Sequence, residues 1–327
     1  AKVLILFGGD SARRTGTLSE VEAALGNRQV QLFGGIEPNP SFETLMEAVT
    51  VVQRDGIDYL LAVGGGSVID GTKFVAAASI FDGDAWDILL KGGTNIHRAL
   101  PFGSVLTLPA TGSEMNKGAV VTRKSLQAKL PFHSEHVFPQ FSVLDPTKSF
   151  TLPPRQVANG VVDAFVHIVE QYLTYPASAP VQDRFAEGLL QTLIDIGPQA
   201  LSDPENYSVR ADLMWVATLA LNGLIGAGVP QDWATHMLGH ELTALHGLDH
   251  AQTLAIVLPA MLTERKDAKH GKLVQYAQRV WSIHEGSESE QAEAAIEKTR
   301  AFFESLGVKT RLGDYLSRLP SSPRRRH

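Results

Sequence analysis

The chain has 327 residues, 44% of them apolar and 20% charged, with no cysteine, so it can bury a large core but offers neither disulfides nor thiolate metal sites. Its formal charge of -6, from 29 Lys+Arg against 35 Asp+Glu, leaves no general basic surface for a nucleic acid or an anionic membrane. No apolar run reaches the roughly 20 residues of a membrane helix and no leader pattern opens the chain, so the expectation is a cytoplasmic protein without nucleic-acid or membrane partners.

The first 150 residues alternate short β-rich runs with amphipathic stretches. A strand over 3–7 precedes a helix opened by a capping box of Thr17 and Glu20 and stopped by Gly26. A second strand spans 29–33, and Ser41 caps a helix to Arg54 with Gly56 as its stop. The third strand, 59–63, is apolar throughout, like a strand covered on both faces. Further strands are expected over 103–108, 118–122 and 141–144. After Leu152-Pro153-Pro154 the pattern is helical, with helices over 155–172, 183–201, 206–225, 232–245, 251–263, 272–281 and 290–306. These elements predict an α/β domain over 1–150, with a parallel, doubly wound, Rossmann-like sheet. An all-helical domain over 151–327 follows, with a site expected in the cleft between the two. Both ends read as cut, and Ser321–His327 reads as a solvated tail.

Three strand-to-loop junctions carry ligand-binding chemistry. Gly64-Gly65-Gly66-Ser67 opens a helix, where small residues and free N–H groups suit a diphosphate, with Asp70 just inside that helix. Gly8-Gly9-Asp10-Ser11, followed by Arg13 and Arg14, could hold a further phosphate, although Asp10 would repel it. Thr107-Leu108-Pro109-Ala110-Thr111-Gly112-Ser113-Glu114 is rich in hydroxyls, which suit a polar ligand or a helix cap. Neither G-x-G-x-x-G nor a P-loop is present, which leaves a standard Rossmann fingerprint and a nucleoside triphosphatase unsupported.

Asp163 and His167 stand at i and i+4 on one helix face. Four of eleven histidines, His236, His240, His246 and His250, fall within fifteen residues of an otherwise apolar helix. His236 and His240 share a face, and His240-Glu241 fails the H-E-x-x-H pattern because the fifth residue is Ala244. His246-Gly247 ends the helix, and Asp249-His250 opens the next, turning His250 back. One Asp with two or three His is the mixed ligand set of an open Zn2+ or Fe2+ site.

In these motifs and their order the chain resembles the iron-containing alcohol dehydrogenases, in their branch of NADPH-dependent broad-range aldehyde reductases, also called butanol dehydrogenases. The resemblance runs from about Lys2 to about Tyr315. It implies a metal held by Asp163, His167, His236 and His250, with His240 beside the nicotinamide as catalytic proton relay. It places the diphosphate on Gly64, Gly65, Gly66 and Ser67, and the nicotinamide against Thr107, Thr111 and Ser113. Asp70, Asn116, Gly118, Lys129 and Lys148 are further cofactor candidates, while Gly9 and Ser11 read the adenosine ribose. NAD-preferring relatives carry an acidic residue at the position of Gly9, and its absence implies NADPH over NADH despite Asp10, which replaces a usual glycine. The implied reaction is hydride transfer between NADP(H) and a small aldehyde or primary alcohol, in a homodimer weakened by absence of the family's N-terminal strand region. Alternatives are a related NAD-dependent polyol dehydrogenase, a dehydroquinate synthase-like enzyme, and a truncated cofactor-binding protein without activity.

Overall fold

The computed structural model describes residues 1–316, so the expected tail at Ser321–His327 lies outside the described residues. The first part runs β1 Lys2–Phe7, α1 Ser11–Arg14, α2 Thr17–Leu25, β2 Gln29–Phe33, α3 Phe42–Asp55, β3 Tyr59–Gly65, α4 Gly66–Ala78, α5 Trp86–Leu90 and β4 Phe102–Leu108. It continues with β5 Gly118–Arg123, β6 Ala128–His133 and β7 Ser142–Val143. The second part is helical: α6 Pro154–Tyr172, α7 Pro180–Ser202, α8 Tyr207–Leu221, α9 Ala234–His246, α10 His250–Glu264, α11 His270–Arg279, α12 Glu288–Ser305 and α13 Gly313–Leu316. No helix among the described residues is long and apolar enough to cross a membrane.

Five strands form one parallel sheet in the order β2-β1-β3-β4-β7. Because β2 lies on one side of β1 and β3 on the other, the chain reverses direction across the sheet between β1 and β3. Beyond the carboxyl ends of those two strands is the crevice where open α/β sheets receive ligands. The glycine loops at Gly8-Gly9 and Gly64-Gly65-Gly66 leave from there.

Local chemistry explains most boundaries. Ser41 accepts the Thr44 N–H at 3.3 Å to start α3, and Gly56 at φ +62° ends it. Gly247 at φ +68° ends α9, and Asp249 with Gln252 forms a capping box that starts α10. Three sequence expectations are corrected. Thr17 lies inside α2, whose N-cap is Gly16 at φ +80°, so no capping box forms with Glu20. The expected strand at 118–122 leaves the parallel sheet and pairs antiparallel with β6, an unexpected strand that tolerates Pro131 because the ribbon has only two strands. The last strand of the sheet shrinks to Ser142–Val143, beside Ser104 and Val105.

One apolar core fills the helical part around Phe165, Leu190, Leu254 and Phe303. Two others sandwich the parallel sheet. Met214 of α8 is buried in the larger sheet-side core, so the helical part is rooted in the α/β part.

Candidate active site

The glycine run after β3 owes its composition to close packing as well as to ligand access. An ideal Cβ on Gly64 would sit 2.5 Å from Val68, one on Gly65 2.9 Å from Leu108, and one on Gly66 would strike the Thr111 side chain. A Cβ on Gly9 meets nothing, and Gly9, Asp10 and Ser11 are exposed, with Arg13 stacked on the Phe7 ring at 4.9 Å. Ser67 receives the backbone N–H of Asn39 at 3.3 Å. Asn39, at φ +55°, also accepts a hydrogen bond from Lys129 Nζ at 2.8 Å. Sequence reading passed over Asn39, although Pro38-Asn39-Pro40 announced a constrained turn. It joins a serine and a lysine from separate loops.

The loop from Thr107 to Gly118 is held from beneath by α4. Ser113 Oγ donates to Asp70 Oδ1 at 2.6 Å, and the Val120 N–H donates to Asp70 Oδ2 at 2.9 Å. Lys73, absent from the sequence candidates, is fully buried and donates to Asn116 Oδ1 at 2.9 Å and to the Gly118 carbonyl at 2.7 Å. Asp70, Ser113, Asn116 and Gly118 are thus engaged within the fold and shape the loop, while Thr107 and Thr111 stand half-buried on it. Lys148 pairs with Glu20 at 2.5 Å. Burial raises the Asp70 carboxyl, against the opposing Lys73 charge, and lowers Lys73 to about 8. A lysine among Val68, Ile69, Phe74 and Val75, one turn after Asp70 in an otherwise mostly apolar helix, was the signal available in the sequence.

The helical part brings the acid and imidazoles together from three helices. His167 Nε2 lies 3.6 Å from Asp163 Oδ1, while His236 Nε2 from α9 and His250 Nε2 from α10 each lie 3.7 Å from that same oxygen. The donor atoms of Asp163, His167 and His236 lie within 4.8 Å of one another. His250 approaches the shared carboxylate from outside that tighter group. Asp163 Oδ1 and His236 Nε2 are buried without a hydrogen-bond partner, an arrangement that costs free energy unless a cation satisfies it. The His167 and His236 rings stack at 4.6 Å.

Electrostatics sharpen this picture. Burial lowers His167 to about 4. Burial opposes charge on His236 too, but the Asp163 and Glu170 carboxylates outweigh it and raise that ring to about 9. The spot therefore attracts positive charge strongly. Burial and then the Lys129 charge lower His250 well below 6.5 and His240 to about 2, keeping both neutral. The His240 ring centroid is 5.3 Å from that of His250 and 6.4 Å from that of His236, beside the cluster. Lys129 is lowered by burial to about 8 although the Asp163 and Asp70 charges oppose the shift. One carboxylate and imidazoles, with His236 giving up its second proton when a cation binds, make a donor set that fits Zn2+ or Fe2+.

Residues 1–146 match the family model described as iron-containing alcohol dehydrogenase, and residues 157–317 match the one described as Fe-containing alcohol dehydrogenase family, C-terminal. The chain is 65% identical to the NADPH-dependent aldehyde reductase YqhD of Escherichia coli, over 96% of this chain and 82% of that protein. It is 42% identical to the probable NADH-dependent butanol dehydrogenase 1 of Bacillus subtilis, over the same shares. The solved structure of the NADH-dependent butanol dehydrogenase A of Thermotoga maritima superposes with a TM-score of 0.93 at 34% identity, covering 98% of this chain and 80% of that one. Two family models that together cover nearly all of the sequence, and relatives this similar over its length, make the chain a member of the iron-containing alcohol dehydrogenase family.

Proposed function

We propose that the chain is a metal-dependent reductase that transfers hydride from NADPH to small aldehydes, and in reverse oxidises primary alcohols. The observation that carries the reading is the convergence of three imidazole Nε2 atoms on one buried, unpartnered carboxylate oxygen. Asp163, His167, His236 and His250 would hold Zn2+ or Fe2+, which when bound supplies Lewis acidity to a carbonyl oxygen. The nicotinamide supplies the hydride.

The protein's own residues bind, orient and manage the proton. Gly64, Gly65, Gly66 and Ser67, at the N-terminus of α4, would take the diphosphate, with Asn39 fixing Ser67. Thr107, Thr111 and Lys129 would face the nicotinamide half, and the Asp70–Ser113 and Lys73–Asn116 hydrogen bonds keep that wall in place. Gly9 and Ser11 would meet the adenosine ribose. His240 stays neutral, so one ring nitrogen donates a proton to the forming alcohol while the other can accept one. We read the chain as two domains dividing near residue 150, nucleotide-binding and then metal-binding. The resemblance also implies a homodimer, for which sedimentation gives the direct check.

The test is NADPH oxidation by the purified, zinc-supplied protein with butanal, beside NADH and chelator-treated controls. Chelator-sensitive turnover favouring NADPH is expected. Turnover indifferent to chelation and to metal content would sink the proposal.

A further inference from the structure

Glu170 lies two helical turns along α6 from Asp163 and is buried. One of its oxygens, Oε1, accepts the backbone N–H of Thr235 at 2.7 Å and that of His236 at 3.2 Å. The other, Oε2, pairs with His236 Nδ1. One carboxylate therefore grips both the first turn of α9 and the ring of its metal-facing histidine. The Asp232 N–H donates to the Glu170 carbonyl at 2.9 Å. A strap lies beside it: Lys269 Nζ donates to Asp232 Oδ2 at 2.7 Å and to the Leu173 carbonyl at 2.6 Å, tying the end of α6 to the approach of α9.

We propose that Glu170 is a positioning residue that selects the His236 tautomer and so presets the metal half-site formed by Asp163, His167 and His236. The proposal rests on the reading that these three residues hold a metal. A neutral imidazole has one N–H and one lone pair, and an ionised carboxylate only accepts. With Glu170 against Nδ1, the proton that the ring keeps belongs on Nδ1, and it is Nε2, on the Asp163 side, that gives up its proton and offers its lone pair when a cation binds. The same carboxylate fixes where α9 begins, so ring orientation and helix position are set by one group. It also adds a negative charge near a site that otherwise counters a divalent cation with Asp163 alone.

A glutamine cannot reproduce this in either orientation. If its oxygen keeps the two backbone N–H groups, its NH2 faces Nδ1 and drives the ring proton onto Nε2, toward the metal. If the amide is flipped, its NH2 opposes the Thr235 and His236 N–H donors. E170Q keeps the shape and loses the selection.

The experiment measures Zn2+ affinity by chelator competition for the full chain and for E170Q, E170D and K269M, together with melting of each metal-stripped protein and its stabilisation by NADPH. E170Q is expected to lose about 10- to 100-fold in Zn2+ affinity, while melting and NADPH stabilisation of the stripped protein stay near the parent values. E170D, which keeps the charge and the acceptors on a shorter stem, should recover part of that loss. K269M, which removes the strap without touching the tautomer, should bind Zn2+ within a few-fold of the parent. Parent-like Zn2+ affinity in E170Q overturns the proposal, as does an equal loss in K269M, which would make Glu170 simply one more tie between helices. Should E170Q fail to fold, E170D decides: intermediate affinity supports the proposal and unchanged affinity overturns it. A parent chain that binds no Zn2+ would instead remove the metal reading itself.

Discussion

Asp163 Oδ1 is the point on which three imidazoles converge, so removing its charge is the most direct single-residue test of the centre. D163N is expected to abolish both Zn2+ retention, read by metal analysis, and aldehyde turnover, because the amide can present an NH2 donor to the spot where Nε2 lone pairs meet. Undiminished turnover in a metal-free D163N protein would refute the assignment. The residues of this cluster were legible because histidines and an aspartate in apolar helices have no solvent to explain them. Glu170 was within reach of the same argument, since Asp163, His167 and Glu170 fall at i, i+4 and i+7 on α6. A carboxylate at a helix end, however, ordinarily reads as solvated. What it touches, the start of α9, is 65 residues away in the chain, and no local pattern announces that contact.

At the scale of the element, α6 is where small size positions chemistry. An ideal Cβ on Gly160 would sit 2.5 Å from the Pro109 carbonyl oxygen, so the helix lies directly on the 107–118 loop one turn before Asp163. Because the obstacle is backbone, G160A must displace the helix or the loop. We expect a loss of about 1–3 kcal/mol in stability, and a fall in kcat/KM of tenfold or more because the metal ligands move with the helix. Gly188 is the control. It lies exposed in α7 with nothing within 4 Å of an added Cβ, and G188A should be neutral or stabilise by up to about 1 kcal/mol. Equal behaviour of the two variants in urea unfolding and in kinetics would contradict this account.

Elements ended by strong local chemistry were readable in advance: Ser41 and Gly56 around α3, Gly247 after α9, Asp249 before α10. Those decided by tertiary context were not. Pro131 hid β6, which is stable because it pairs with β5 outside the sheet. The box expected at Thr17 lost to Gly16, whose left-handed backbone starts the helix one residue earlier.

The whole molecule depends on a seam that no linear pattern shows. Thr218 of α8 donates to Glu114 Oε1 at 2.5 Å across 104 positions of chain, and an ideal Cβ on Gly112, at φ +62°, would sit 3.2 Å from the Ala217 and Thr218 carbonyl oxygens, so the same loop packs on the backbone of α8. Beneath that seam lie the buried charges of Asp70, Lys73 and Glu114. Burial is the main cause of all three shifts, raising the carboxyls and lowering Lys73 to about 8. The consequence for stability has a definite sign. Between pH 8 and 10.5 the unfolded chain keeps the Lys73 proton that the folded chain has released, so the unfolded state binds more protons and stability rises with pH through that window. Below pH 8 the lysine is charged in both states and its buried charge counts in full against the fold. The contribution is isolated by comparison with K73M, in which nothing titrates at that position. The unfolding free energy of the parent minus that of K73M should increase from pH 7.5 to pH 10.5, by at most about 3 kcal/mol. Urea titrations at fixed ionic strength give the difference directly. A flat or falling difference would mean that the Lys73 ammonium is stabilised in place by Asp70 and Glu114, and that the seam is an ion-pair network and not a buried charge held at a cost.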